Sequence, residues 1–256
     1  MIKINKDKNI GKVLLIVEGE RTEFYLLRKI FTQIFDYQYE KMDRMRKYKK
    51  YNEKDGIHSS IFVINAKDPA ISTIHTQEDF LDEIFEKLIV EYQFPVDRAA
   101  IFYVFDRDVR SNTDAVLIRN LLRNLSSSRD SNDFDRQGLL LLSYPSIESF
   151  VASNFMEDSF RLTFETGKEL KQYLDSNRMN QSKITEQTLL KAVSEMLSGM
   201  QHLGVTEYSI DQFSDTNLFI FNQQEEFYIT KQQYQLLSLL SMILLDLGLV
   251  EIIEGQ

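Results

Sequence analysis

The chain has 256 residues, 43% of them hydrophobic, including 18 Phe and 12 Tyr, enough for one sizeable α/β domain or a medium one with a helical appendage. It has no cysteine and only three widely spaced histidines, which excludes disulfides and thiolate chemistry and argues against a histidine-rich zinc site. A net charge of −9 argues against a protein that coats nucleic acid by general basicity, while allowing acids that bind metal beside a local basic segment.

The polar start, Met1 to Asn9, lacks the apolar core of a signal peptide. The most apolar late stretch, Leu236 to Val250, is broken by Ser238, Ser241, Asp246 and Gly248, short of the ~18 apolar residues of a membrane span. The expectation is a soluble, cytoplasmic protein with no membrane partner.

Residues 12–18 read as a first strand, Lys-Val-Leu-Leu-Ile-Val-Glu, with Gly19 as its tight exit. Thr22 is placed to cap a helix from Glu23 to about Phe35, with Phe24, Leu27, Ile30, Phe31 and Ile34 on one face. The segment 36–55 is dense in tyrosine and cations, among them Arg46, Lys47, Lys49 and Lys50. Ile61–Ile64 reads as a second strand, and 77–92 has the spacing of an amphipathic helix. Residues 99–105 form a third strand, which runs into Asp106-Arg107-Asp108. Thr113 is a candidate cap for a helix through Leu125, and 126–135 is a polar loop. A fourth buried strand over 138–143 ends at Tyr144-Pro145-Ser146-Ile147-Glu148, where the proline stops it and a helix begins.

This alternation predicts a mostly parallel, Rossmann-like sheet flanked by helices, spanning residues 10–155, with 36–55 as a basic insertion. Right-handed crossovers would bring Glu18, Asp106 and Glu148 to one edge. Residues 156–256 read as a mainly helical extension, with helices over 168–176, 186–200 and 231–247 and an undefined stretch over 211–230. The apolar helix near 234–248 would be buried in its own core or against a second copy in a homodimer.

Carboxylates at the carboxyl ends of adjacent parallel strands face the crevice in which open α/β sheets bind ligands. Glu18, Asp106 and Asp108 converging there would repel one another, and a divalent cation resolves the conflict. Oxygen-only ligands favour Mg²⁺ or Mn²⁺. Glu23, in the first turn of the first helix, and Glu148 are further candidates. A first-turn glutamate is also favourable at a helix's positive end, and Asp108 could simply cap a turn. Arg107 and Arg110 flank the acids, where they could neutralise a phosphate or pair with the aspartates. The cations and tyrosines of 36–55, with Arg46, Lys47, Lys49 and Lys50 at their centre, are the mix that tracks a phosphate backbone and stacks bases; a solvated face is the plainer reading.

Two separated signatures, Leu-Ile-Val-Glu-Gly-Glu-Arg-Thr-Glu at 15–23 and Phe-Asp-Arg-Asp at 105–108, resemble the Toprim catalytic domain of topoisomerases, bacterial primases and OLD- and RloB-like nucleases. Thr22-Glu23 and Tyr144-Pro-Ser-Ile-Glu148 are most similar to the stand-alone OLD- and RloB-related members. The resemblance implies Mg²⁺ ligation by Asp106 and Asp108, and a metal-ligand or general-base role for Glu18. It implies a nuclease acting on DNA or RNA, and a phage-defence effector working with an ABC-type ATPase partner. The chain has no Gly-x-x-x-x-Gly-Lys-Ser/Thr motif of its own and no tyrosine assignable as a topoisomerase nucleophile. Two rivals stand beside this reading. One is an Asp-nucleophile phosphatase, whose Asp-x-Asp normally follows its first strand; the other is a non-catalytic adaptor that binds nucleic acid or a partner.

Overall fold

A computed structural model describes residues 1–42, 45–52, 56–66, 71, 85, 86, 88–92, 94, 98–129 and 137–253. Its centre is a mixed sheet of strands β2 (Lys12–Val17), β3 (Gln38–Lys41), β4 (Met45–Asn52), β5 (Ile57–Asn65), β6 (Ala100–Asp106), β7 (Ser126–Ser127), β8 (Gly138–Tyr144) and β11 (Leu237–Ser238). The order is β11-β8-β6-β2-β5-β4-β3, with β7 also paired to β8. Strands β5, β2, β6 and β8 run parallel, and β3, β4, β7 and β11 are added antiparallel. The parallel core forms because Val13–Val17, Ala100–Phe105 and Gly138–Tyr144 are buried without alternation, as strands covered on both faces must be. Two small antiparallel pairs complete the strands. β1 (Ile2–Ile4) joins β12 (Val250–Ile252), and β9 (Thr163–Phe164) joins β10 (Tyr234–Gln235).

Helix α1 (Thr22–Arg28) continues into a π-helical stretch, Lys29–Ile34, and together they bury Phe24, Leu26, Leu27, Ile30, Phe31 and Ile34. Helix α2 (Ala115–Asn124) is capped by Asp114, whose carboxylate accepts from Val116 N and Leu117 N at 3.0 and 2.9 Å; the expected cap, Thr113, is one residue early. Helix α3 (Glu148–Phe155) follows the cis Tyr144–Pro145 bond at the end of β8. Helices α4 (Gly167–Ser176), capped by Thr166, and α5 (Glu186–His202), with a Thr185–Thr188 capping box, match expectation closely. The helix expected over 77–92 lies largely outside the described residues, within which Leu88 is buried. Among the described residues no helix is long and apolar enough to cross a membrane.

Two expectations for the C-terminal region are corrected. The undefined stretch 211–230 is a long helix, α6 (Phe213–Lys231), and the helix expected over 231–247 is broken into β10, β11 and α7 (Leu240–Asp246). Leu237 and Ser238 pair with Tyr144 and Ser143, so the C-terminal region completes the central sheet rather than hanging from it. Its apolar side chains join those of β2, β6 and β8 in one core.

The basic segment is also placed by pairing. Strand β4 lies antiparallel between β3 and β5, so alternate side chains leave opposite faces. Arg46 stacks over Phe24 and Lys50 donates to the carbonyls of Phe35 and Lys6, whereas Lys47 sits over Phe62. Lys49 pairs with Glu40. The cations of this segment are thus divided between the two sides of the sheet.

Candidate active site

The sheet's order reverses beside β2: the chain passes from β2 to β5 on one flank, then returns to β6 and β8 on the other. Loops diverging at such a switch point leave a crevice at the carboxyl ends of the strands. Glu18 and Asp106 occupy that place. The Glu18 backbone N–H donates to Val104 O at 3.1 Å, and its Oε2 accepts from Asp106 N at 2.7 Å. Asp106 Oδ1 in turn accepts from Ile147 N, 2.8 Å away in the turn after β8. Glu23 reaches back from α1, its Oε1 accepting from Gly19 N at 3.0 Å. Gly19 lets the Glu23 carboxylate pack close, because a Cβ at that position would lie 2.6 Å from Glu23 Oε2. Glu148 stands at the first turn of α3, with Oε2 accepting from Ser146 Oγ at 2.8 Å.

Four carboxylates therefore lie within electrostatic reach of one another near the ends of β2, β6 and β8. Glu18 and Glu23 are each only 8% exposed. Burial, joined by the charges of Glu23 and Asp108, pushes the Glu18 carboxyl up to about 8. Burial and then Glu18, Glu148 and Glu23 raise Asp106 well above the ordinary carboxylate range. Glu23 is raised as well, by burial and by Glu148, with partial relief from backbone N–H groups and from Lys171. The buried pair Glu18 and Asp106 does not carry two full negative charges at neutral pH without a counter-cation.

Glu18, Asp106 and Glu148 are each anchored through one oxygen, and Glu18 Oε1, Asp106 Oδ2 and Glu148 Oε1 have no hydrogen-bond partner among the described residues, whereas Glu23 is held by its own backbone N–H as well as by that of Gly19. Such a donor set, all oxygen and short of positive charge, fits a hard divalent cation. Among the described residues, no three acidic or imidazole groups stand as a preset ligand cage. Closing on an ion would require side-chain rotation at the free oxygens.

Asp108 follows the turn-cap reading rather than the metal-ligand one that the resemblance implies. Its Oδ1 accepts from Arg110 N at 2.9 Å and its Oδ2 from Gly167 N at 3.1 Å, so it buttresses the first turn of α4, where a negative charge is favourable. It contributes charge to the cluster while both its oxygens are engaged.

Arg107 is corrected outright as a phosphate contact. It is 2% exposed, and its Nε and Nη2 each donate at 2.8 Å to Glu225 of α6 while Nη1 donates to Asn112 O. The side chain between the two aspartates is an internal brace. Arg110 is exposed beside Asp108.

Two contributors were not singled out in the sequence. Asn112, 2% exposed, donates to Asp106 O at 2.6 Å and to Glu18 Oε2 at 3.4 Å, and its Oδ1 accepts from Ile71 N. It locks the acidic loop to the first strand's end; its only sequence signal is an amide six residues after Asp106. Lys171, exposed on α4, acts on Glu23 and shares a cleft of about 110 Å³ with Glu148 and Thr22. No local pattern announces it, because α4 is delivered by the fold. Comparison of the chain with family models, with curated proteins and with solved structures found no match in any of the three.

Proposed function

We propose that this chain is a divalent-metal-dependent nuclease of Toprim type. The observation that carries the reading is the gathering of Glu18, Asp106, Glu23 and Glu148 at a sheet switch point, where burial and then neighbouring carboxylates raise the proton affinities of Glu18, Asp106 and Glu23. Glu18 and Asp106 would hold Mg²⁺ or Mn²⁺, with Glu23 and Glu148 on its open side. The bound ion would supply Lewis acidity and lower the pKa of a bound water. The carboxylates position the ion and accept the proton released by water; Lys171 is placed to meet a phosphate oxygen. Asp108 keeps α4, and with it Lys171, against the acidic loop. The substrate is DNA or RNA, and a cytoplasmic role in phage defence alongside an ABC-type ATPase is the biological setting that the motif resemblance supports.

The test is incubation of wild type, Glu18→Gln and Asp106→Asn with plasmid, single-stranded DNA and a tRNA pool in Mg²⁺, Mn²⁺ or EDTA. Cleavage by wild type in the divalent cations alone, lost in both variants, is the expected result. Binding without cleavage under every condition would favour the adaptor, and an aspartyl-phosphate trapped at Asp106 would establish the phosphatase.

A further inference from the structure

Glu23 of α1 faces the acid cluster, while Arg21 at the helix's N-cap and Tyr25 and Arg28 within it follow at i, i+4 and i+7 along the opposite side. That side borders a second cleft of about 310 Å³, lined by Glu20, Arg21, Phe24, Tyr25, Arg28, Tyr39 and Arg46. Its guanidiniums are spread on aromatic faces: Arg28 lies 4.4 Å from the centre of the Tyr39 ring, and Arg46 lies 4.7 Å from that of Phe24. Arg46 is held further by the Met42 and Met45 carbonyls and touches Glu20 at the rim at 3.5 Å. Among the described residues Arg21 and Arg28 have no carboxylate partner, in a chain whose net charge is −9. Tyr25 is 47% exposed although tyrosine normally buries much of its apolar face.

We propose that this cleft binds a single-stranded segment of nucleic acid, its phosphates on Arg21 and Arg28 and an unpaired base stacked on Tyr25. Unpaired guanidiniums suit a polyanion, and a solvent-facing ring beside them suits an unstacked base, the combination by which proteins hold single strands. The inference rests on the nuclease reading for its position: α1, about 10 Å across, separates the cleft from the acids, so the strand would be gripped a few nucleotides from the bond cut.

The test is fluorescence anisotropy of a labelled oligothymidylate of about twenty nucleotides, with the full chain in EDTA so that nothing is cleaved. Tyr25→Ala should weaken binding by about 5- to 150-fold with little change in salt dependence. Arg28→Gln and Arg21→Gln should each lower the slope of log affinity against log salt by about 0.7. All three side chains are exposed, and unchanged melting temperatures would show the variants folded. Wild-type affinity in the variants, or tighter binding of a duplex of equal length, overturns the proposal. Binding that depends on Tyr25 without cleavage in any metal would sink the nuclease reading and leave this one standing; cleavage by a chain whose Tyr25→Ala variant binds normally would do the reverse.

Discussion

Replacing Glu18 by glutamine should stabilise the metal-free protein at neutral pH, although it removes a residue of the proposed active site. The Glu18 carboxyl is pushed up to about 8 from an ordinary 4.5. Between those pH values the folded chain holds a proton that the unfolded chain has released, so stability falls as pH rises from 4.5 to 8 and levels off above. At about 1.4 kcal/mol per pH unit, the loss by pH 7 is on the order of 3 kcal/mol. Glutamine carries no charge and retains an oxygen for the Asp106 N–H, so the loss disappears. For a chain of this size that is a melting temperature higher by roughly 6–12 °C. Thermal melts of wild type and Glu18→Gln at pH 5, 6, 7 and 8 in EDTA read the effect directly. The gap should be small at pH 5 and widen to pH 8. Mg²⁺ or Mn²⁺ should then raise the wild type, since a ligand held only by the folded state stabilises it, and raise the variant less. A gap that is independent of pH, or that favours the wild type in EDTA, refutes the reasoning.

Arg107→Ala should cost about 3–5 kcal/mol in urea unfolding, because it strands the Glu225 carboxylate, whose side chain is only 12% exposed; a loss below about 1 kcal/mol would show that Glu225 finds water instead. Gly19→Ala should leave the fold nearly as stable, since the obstacle is the flexible end of Glu23, yet lower cleavage about as much as Glu23→Gln does. Full activity in Gly19→Ala would remove Glu23 from the working site.

The parallel strands were legible because each is an unbroken buried run, and the acids were legible because they stand where those runs stop. Helix α6 was not, for a physical reason. Two of its buried residues, Asn217 and Gln224, are amides that bond to Leu140 O and to the Gln235 backbone, so its inward face lacks an apolar stripe. The stretch 234–247 misled in the opposite way: leucines and serines at close spacing suit a buried helix or a buried edge strand, and pairing with β8 decided for strand at Leu237 and Ser238. Adjacency to the acids left Arg107 either to meet a phosphate or to pair with the aspartates, and it does neither. Only the arrival of Glu225, 118 positions later, shows which way it faces. Asp108 is similar, since its second partner is the Gly167 N–H beyond the apparent end of the catalytic region.

The closure of the sheet by β11 has a practical corollary for anyone dissecting the molecule. A fragment ending near residue 155 would keep the acids yet bare the outer edge of β8 along Ser143 and Tyr144, leaving a row of backbone amides open to pairing with another chain. It would also lose the partners of Arg107 and of Asp108 on either side of the acidic loop. Such a truncation should aggregate rather than report on catalysis, and the smallest unit worth purifying extends at least through Ser238.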